Sequence, residues 1–257
     1  CVGTIGDGLL VFDEQENLLF HINKANGLNN NTALSIFEDE EQNIWCGLDN
    51  GISLIRLNSN TSYYNDKTGK IGNIFASVQK DSILYIGTNH GVFYYDLSLK
   101  NSVYKEKDFN LVKGTQGQVW QLKKIDNKII CGHNEGTFLI DKFNSLKISN
   151  ITGGWCLNEV KKDIFLQSTY TGFCTYNNNG NWISNVKKVI GFDLPIKKYV
   201  MINSYEAIGL NPSTGLYHLI FNEDFSKIVD WSTLTLGEDF ENKYEIDLSK
   251  VGGVIYV

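Results

Sequence analysis

The sequence predicts an all-β chain: a β-propeller of four-stranded antiparallel blades, a seven-bladed ring here cut to about six blades. Three observations predict it. One apolar–Gly–turn–Gly–apolar unit recurs six times, only two prolines occur in 257 residues, and no amphipathic helical segment competes with the strand-like runs. Strand interiors avoid proline, so its scarcity fits a chain built from strands.

The first unit is Val2-Gly3-Thr4 followed by Gly8-Leu9-Leu10-Val11-Phe12. The second is Trp45-Cys46-Gly47-Leu48 with Gly51-Ile52-Ser53-Leu54-Ile55, and the third Tyr85-Ile86-Gly87-Thr88 with Gly91-Val92-Phe93-Tyr94-Tyr95. The fourth is Ile130-Cys131-Gly132-His133 with Gly136-Thr137-Phe138-Leu139-Ile140. The fifth, Leu166-Gln167-Ser168-Thr169 with Gly172-Phe173-Cys174-Thr175-Tyr176, carries Ser168 where the others have a first glycine. The sixth, Ala207-Ile208-Gly209-Leu210 with Gly215-Leu216-Tyr217-His218-Leu219, has the longer turn Asn211-Pro212-Ser213-Thr214. The second glycines stand at 8, 51, 91, 136, 172 and 215, in steps of 43, 40, 45, 36 and 43. Such a period with several strands per repeat marks propeller blades.

Upstream of these units lie the runs expected to form the innermost strands: Ile36-Phe37, Ile74-Phe75, Val119-Trp120, Trp155-Cys156-Leu157 and Tyr199-Val200. Polar turns such as Asp39-Glu40-Glu41-Gln42-Asn43 and Asp126-Asn127 then lead into the second strands. Val254-Ile255-Tyr256-Val257 matches the strand that precedes a first glycine, so the chain is expected to open and to stop on second strands. Either six blades close by sharing one between the termini or a larger ring is cut. The cut seven-bladed ring is the expectation adopted, with residues 1–257 as a single propeller belonging to a longer protein.

The formal charge is −6, which argues against a general nucleic-acid binder, since neutralising phosphates needs a basic face. No apolar run approaches the roughly 18 residues of a membrane span. Five cysteines are too few and too odd in number for a disulfide scaffold. Cys46 and Cys131 sit in strand-like runs and read as small core residues.

The segment Asn26-Gly27-Leu28-Asn29-Asn30-Asn31-Thr32-Ala33-Leu34-Ser35-Ile36-Phe37-Glu38-Asp39, with Asn43-Ile44-Trp45-Cys46-Gly47-Leu48-Asp49-Asn50-Gly51-Ile52, resembles the two-component regulator propeller repeat. Gly117-Gln118-Val119-Trp120-Gln121-Leu122, Cys131-Gly132-His133-Asn134-Glu135-Gly136-Thr137-Phe138 and Gln167-Ser168-Thr169-Tyr170-Thr171-Gly172 are similar to it too. The resemblance implies the periplasmic sensor region of a hybrid two-component system from glycan-degrading gut bacteria. It further implies an oligosaccharide signal, an adjacent propeller and β-sandwich in the same chain, a homodimer, and a membrane segment outside these residues. The output would pass through a histidine kinase to glycan-utilisation genes, with no nucleic acid bound by this region.

In a propeller the second-to-third-strand turns and the blade-to-blade loops share the face where ligands usually bind. The candidate ligand-binding residues are therefore Asp49, Asn50, Asn89, His90, His133, Asn134, Glu135, Tyr170 and Thr171, with Trp120 and Trp155 supplying rings from matching positions on neighbouring inner strands. Amides, hydroxyls, imidazoles and an aromatic are the mixture that sugar recognition needs. Asn and Asp between glycines also suit tight turns, which is the plainer reading for most of these residues. Tyr170 stands out, because a large ring gives a turn little.

Catalytic constellations are thin. The four histidines, His21, His90, His133 and His218, show no ligand spacing, and no nucleophile elbow or phosphate loop occurs. Asp49, Glu135 and Glu206 are the carboxylates considered for the binding face, as a glycosidase would require. No catalytic residue, metal or cofactor is expected. The pairs Lys123-Lys124 and Lys161-Lys162 read as first-to-second-strand turns on the opposite face. The rivals to a sensor are a structural or dimerisation scaffold and a propeller carbohydrate-active enzyme.

Overall fold

The computed structural model describes residues 1–57, 59, 66, 68–98, 109–177, 186–235 and 246–257. Every regular element among them is a β-strand. The chain divides into two compact units, Cys1–Asn65 with Ser98–Asp108, and Asp66–Leu97 with Phe109–Val257.

The first unit holds β1 (Val2–Gly3), β2 (Leu9–Phe12), β3 (Leu18–Ile22), β4 (Ala33–Glu38), β5 (Ile44–Leu48) and β6 (Gly51–Ile55). They form two antiparallel meanders, β1-β2-β3 and β4-β5-β6. Ile44, Cys46 and Leu48 turn inward with Leu9, Val11 and Leu28, while Trp45 between them is 41% exposed. That alternation is the strand period of two.

Two turns of this unit use the same chemistry. Asp13 Oδ1 accepts the amides of Gln15 and Asn17 at 2.9 and 2.8 Å. Asp39 Oδ1 likewise accepts those of Glu41 and Asn43 at 3.0 and 2.9 Å, and Asp39 Oδ2 accepts Trp45 Nε1–H at 2.8 Å. The Trp45 indole first, then the Asn43 and Glu41 donors, hold the Asp39 carboxyl below its ordinary value despite the opposing effect of burial. A depressed carboxyl stabilises the fold above its unfolded pKa, about 3.9, and the contribution is lost as pH falls through the folded value. The melting temperature is therefore expected to fall more steeply below about pH 4 in the wild type than in Asp39→Asn. Equal slopes in calorimetry would contradict this.

The second unit contains four four-stranded meanders and a hairpin. The meanders are β7 (Ile74–Lys80), β8 (Ile83–Thr88), β9 (Val92–Asp96), β10 (Asn110–Leu111); β11 (Val119–Ile125), β12 (Lys128–His133), β13 (Gly136–Asp141), β14 (Asn144–Ser149); β15 (Cys156–Lys161), β16 (Ile164–Thr169), β17 (Gly172–Asn177), β18 (Val186–Lys188); and β19 (Lys198–Met201), β20 (Glu206–Asn211), β21 (Gly215–Phe221), β22 (Ile228–Leu234). The hairpin is β23 (Ser249–Val251) with β24 (Val254–Tyr256). Three buried clusters draw on successive sheets. Tyr85 and Val92 meet Val119, Cys131 and Phe138. Ile130 and Ile148 meet Leu157 and Phe165, and Leu166 and Phe173 meet Tyr199, Tyr217 and Phe221. Central strands covered on both faces read as continuous apolar runs, as Ile129-Ile130-Cys131 does. This layering of antiparallel meanders is the β-propeller expected from the repeats.

In the five units that carry two glycines, the two serve different ends. All six second glycines have positive φ, 141° at Gly136, a backbone region that glycine enters without steric cost. The first glycines make room instead: a Cβ on Gly87 would strike Val119, and one on Gly132 the carbonyl of Gly154.

The inner strand β15 pairs only with β16, which leaves its other edge open. Side chains of β11 cover it. Gln121 Oε1 accepts Leu157 N–H at 2.8 Å, and Lys123 Nζ donates to Leu157 O at 2.8 Å and Asn158 Oδ1 at 2.6 Å. The pair Lys123-Lys124 thus lies within β11 and not in the turn, which is Asp126-Asn127, because the open Leu157 carbonyl at the edge takes the Lys123 ammonium. Lys161 similarly closes β15. None of the five cysteines forms a disulfide; burial pushes the Cys174 thiol up to about 12.

Candidate binding face

In five of the six units the residue at the end of the second strand or just past it ties down the turn that follows; Leu48 of β5 is the exception. Thr88 Oγ1 accepts His90 N–H at 3.0 Å, Thr169 Oγ1 accepts Thr171 N–H at 3.2 Å, and Thr4 Oγ1 accepts Asp7 N–H at 3.2 Å. Asn211 does the same for Ser213 and Thr214 at 2.8 and 3.0 Å. His133 occupies this place in β12, with Nδ1 accepting Glu135 N–H at 3.1 Å.

Blade-to-blade loops lie against these turns, as the sequence led one to expect. Asn134 N–H donates to Gln118 O at 2.9 Å, Gly153 N–H to Asn134 O at 2.9 Å, Gly154 N–H to His133 O at 3.0 Å, and Tyr170 N–H to Thr152 O at 3.2 Å. His133, Asn134, Trp155 and Tyr170 are therefore one contiguous patch of the second unit. The Tyr170 ring lies over Gly153, where a Cβ would collide with it.

The aromatic residues form a row. Phe75 and Trp120 stand 5.8 Å apart, Trp120 and Trp155 5.9 Å, and Trp155 and Tyr170 4.6 Å, each pair edge to face. Trp120 Nε1–H donates to the Tyr170 hydroxyl at 3.1 Å, which fixes both rings. Phe75 and Trp120 reach the row through β-bulges. The register of β7 on β8 shifts between Ile74 and Ala76, and that of β11 on β12 between Val119 and Gln121. Bulges re-aim a side chain, and Phe75 is accordingly 48% exposed. Trp155 directly precedes Cys156, which pairs with Ser168, just as Trp120 precedes Gln121, which pairs with Gly132, and Phe75 precedes Ala76, which pairs with Gly87. The three rings thus stand at one position of the repeat, as expected for the two tryptophans.

Other expected residues serve the turns. Asn89 Oδ1 accepts Asn73 N–H at 2.8 Å, and His90 Nδ1 lies 3.2 Å from Lys70 O. Thr171 and Glu135 are exposed. Asp49 and Asn50 belong to the first unit, between β5 and β6, where Asp49 N–H donates to Thr32 O at 3.1 Å. Glu206 is not on this face. It opens β20, at the end away from the Asn211–Gly215 turn, and holds His218 Nε2 at 2.7 Å. Among the described residues no group of His, Cys, Asp and Glu has a metal-binding arrangement.

Sequence reasoning missed Phe75 and a buried polar network beneath the patch. Gln167 Oε1 accepts Thr137 Oγ1–H and Tyr176 O–H, both at 2.7 Å. It also missed Gly72, Gly117 and Gly153, which precede the inner strands at positive φ and seat the turn side chains; their constant place just upstream of each inner run is the signal that would have found them. Four buried polar atoms have no partner among the described residues: His133 Nε2, Asn134 Oδ1, Trp155 Nε1 and Gln167 Nε2. Three belong to the patch. A groove of about 430 Å³ lined by Lys123, Lys124, Asp126, Asn158 and Glu159 opens elsewhere, at the far end of β11. Its Lys123 is already bonded, so the aromatic patch is the better candidate despite the smaller relief.

Antiparallel blades, one face of which carries an aromatic row beside buried polar atoms without a partner among the described residues, define a propeller with a candidate binding face. No family model matches the chain, and no curated protein does. Solved structures share its fold. One is the extracellular domain of BT3049 from B. thetaiotaomicron, described as a hybrid two-component system, with 18% identity over 90% of this chain and 33% of that one at a TM-score of 0.60. Another is the extracellular domain of BT4673 from the same organism, with 16% identity over 97% of this chain and 38% of that one at a TM-score of 0.52. The chain thus spans a third to two fifths of the length of these structures. The fold is thus shared with extracellular domains of two-component systems.

Proposed function

We propose that the chain is a non-catalytic, ligand-binding part of an extracytoplasmic sensor in a hybrid two-component system. It detects an oligosaccharide and relays the event to a histidine kinase that controls glycan-utilisation genes. The observation that carries this is the Phe75–Trp120–Trp155–Tyr170 row set beside buried, unpartnered polar atoms. Aromatic faces cover the apolar face of a pyranose, and a few placed polar groups orient it. The shared fold with extracellular domains of two-component systems supports the sensor role and a periplasmic location. On this reading the partners are an adjacent propeller, a β-sandwich and a second copy of the protein, and a membrane segment lies outside these residues. The ligand acts by its differential affinity for two arrangements of that dimer.

A thermal melt against a panel of oligosaccharides tests the proposal. Ligand at about 100 times its Kd adds about 2.7 kcal/mol to stability, and Tyr170→Ala is expected to abolish the shift. No shift with any member would favour the scaffold reading.

A further inference from the structure

We infer that the binding face of the second unit takes an extended chain of four sugar units, laid across successive blades on Phe75, Trp120 and Trp155 and ending at Lys198. The inference rests on the sensor reading and names the form of its ligand. One position of the repeat carries all four residues. Each directly precedes the inner-strand residue that pairs with the first glycine of its unit, or with Ser168 in its place. The pairs are Ala76 with Gly87, Gln121 with Gly132, Cys156 with Ser168 and Tyr199 with Gly209. Blades repeat radially, so residues at one position are set out from blade to blade in even steps. The centroids of Phe75 and Trp120 stand 5.8 Å apart, and those of Trp120 and Trp155 5.9 Å. Each step is close to the advance of one unit along a linear sugar chain.

The row is neither core nor loose surface. Its rings lean edge to face on one another, and Trp120 Nε1–H holds the Tyr170 hydroxyl at 3.1 Å. Yet Phe75 is 48% exposed, and Trp120, Trp155 and Tyr170 are half-buried. Rings already locked by their neighbours lose little freedom when a ligand stacks on them. A single sugar ring needs one aromatic partner. Three partners on three successive blades, at matched steps, suit a chain.

The fourth position changes character. Lys198 opens β19, and its ammonium donates to both oxygens of Asp247 at 3.0 Å. The lysine side chain is 39% exposed and the aspartate 77%. The Lys198 charge acts on the Cys156 thiol, next in the chain to Trp155, which places the pair at the end of the row. There it presents a donor and two carboxylate acceptor oxygens side by side to solvent, the complement of adjacent hydroxyls on a sugar. Stacking thus gives way to hydrogen bonding at blade six, and the track has a polar stop.

The test is isothermal titration of the full chain with cello-, malto-, xylo- and manno-oligosaccharides of two to six units. In a series that binds, affinity is expected to rise about fivefold with each added unit as far as the tetrasaccharide and then to level off. Phe75→Ala and Lys198→Met remove the two ends of the track at partly exposed side chains. Each should move the levelling point to the trisaccharide and leave disaccharide affinity unchanged. Affinity that levels off at any other length in the wild type overturns the inference and leaves the sensor reading standing. An unmoved levelling point in either variant overturns it as well, and binding by no series overturns both.

Discussion

Replacing Gly132 with alanine is expected to destabilise the second unit by on the order of 4 kcal/mol, the range reserved for severe core disruption. Gly132 lies in β12 and pairs with both Gln121 and Thr137. A Cβ there would meet the backbone carbonyl of Gly154, whose amide is held by His133 O. No side-chain rotation relieves such a clash, so successive sheets must part. Gly215→Ala makes the informative contrast. Its φ of 98° strains any other residue, but nothing lies within 4 Å of the added carbon, so only the backbone cost of about 1–2 kcal/mol remains. Urea denaturation of both variants measures the difference, and equal losses would contradict the distinction between a glycine kept for space and one kept for conformation.

The second large effect belongs to Phe173. This side chain on β17 is 0% exposed and packs edge to face against Tyr199 and Phe221, both at 5.5 Å between ring centroids. It joins the β15–β18 sheet to the β19–β22 sheet within one cluster. Phe173→Ala should cost about 3–5 kcal/mol, combining lost transfer energy with a cavity that rigid neighbouring rings cannot fill. Phe173→Leu, which keeps most of the volume, should cost under about 1.5 kcal/mol. A small loss in the alanine variant would mean that the two sheets do not depend on this contact.

What was legible in the sequence follows from which positions admit few residues. The second glycines are visible because a positive φ excludes nearly every side chain, and the first because a neighbouring strand occupies the space of a Cβ. The inner strands are visible as apolar runs, but their bulges are not, since a bulge is a property of pairing. Hence Trp120 and Trp155 were legible as equivalent, whereas Phe75, at the same position of its own blade, escaped notice. Lys123 looked like a turn residue because its charge suggested solvent, whereas its task is to bond the open edge of β15. His133 was legible as a binding candidate but not for its reason. The repeats align it with Thr4, Thr88 and Thr169, but the bond that its Nδ1 accepts from Glu135 N–H is seen only in the structure. Tyr170 was legible throughout, because no turn needs a ring of that size.

The central claim is that the aromatic patch of the second unit binds an oligosaccharide. A thermal melt of the wild type beside Tyr170→Ala, each with and without the oligosaccharide panel, tests it most directly. The account predicts a ligand-dependent rise in the wild-type melting temperature that vanishes in Tyr170→Ala, with similar melting of the two proteins in the absence of sugar. An equal rise in both proteins would place the binding site elsewhere and contradict the claim.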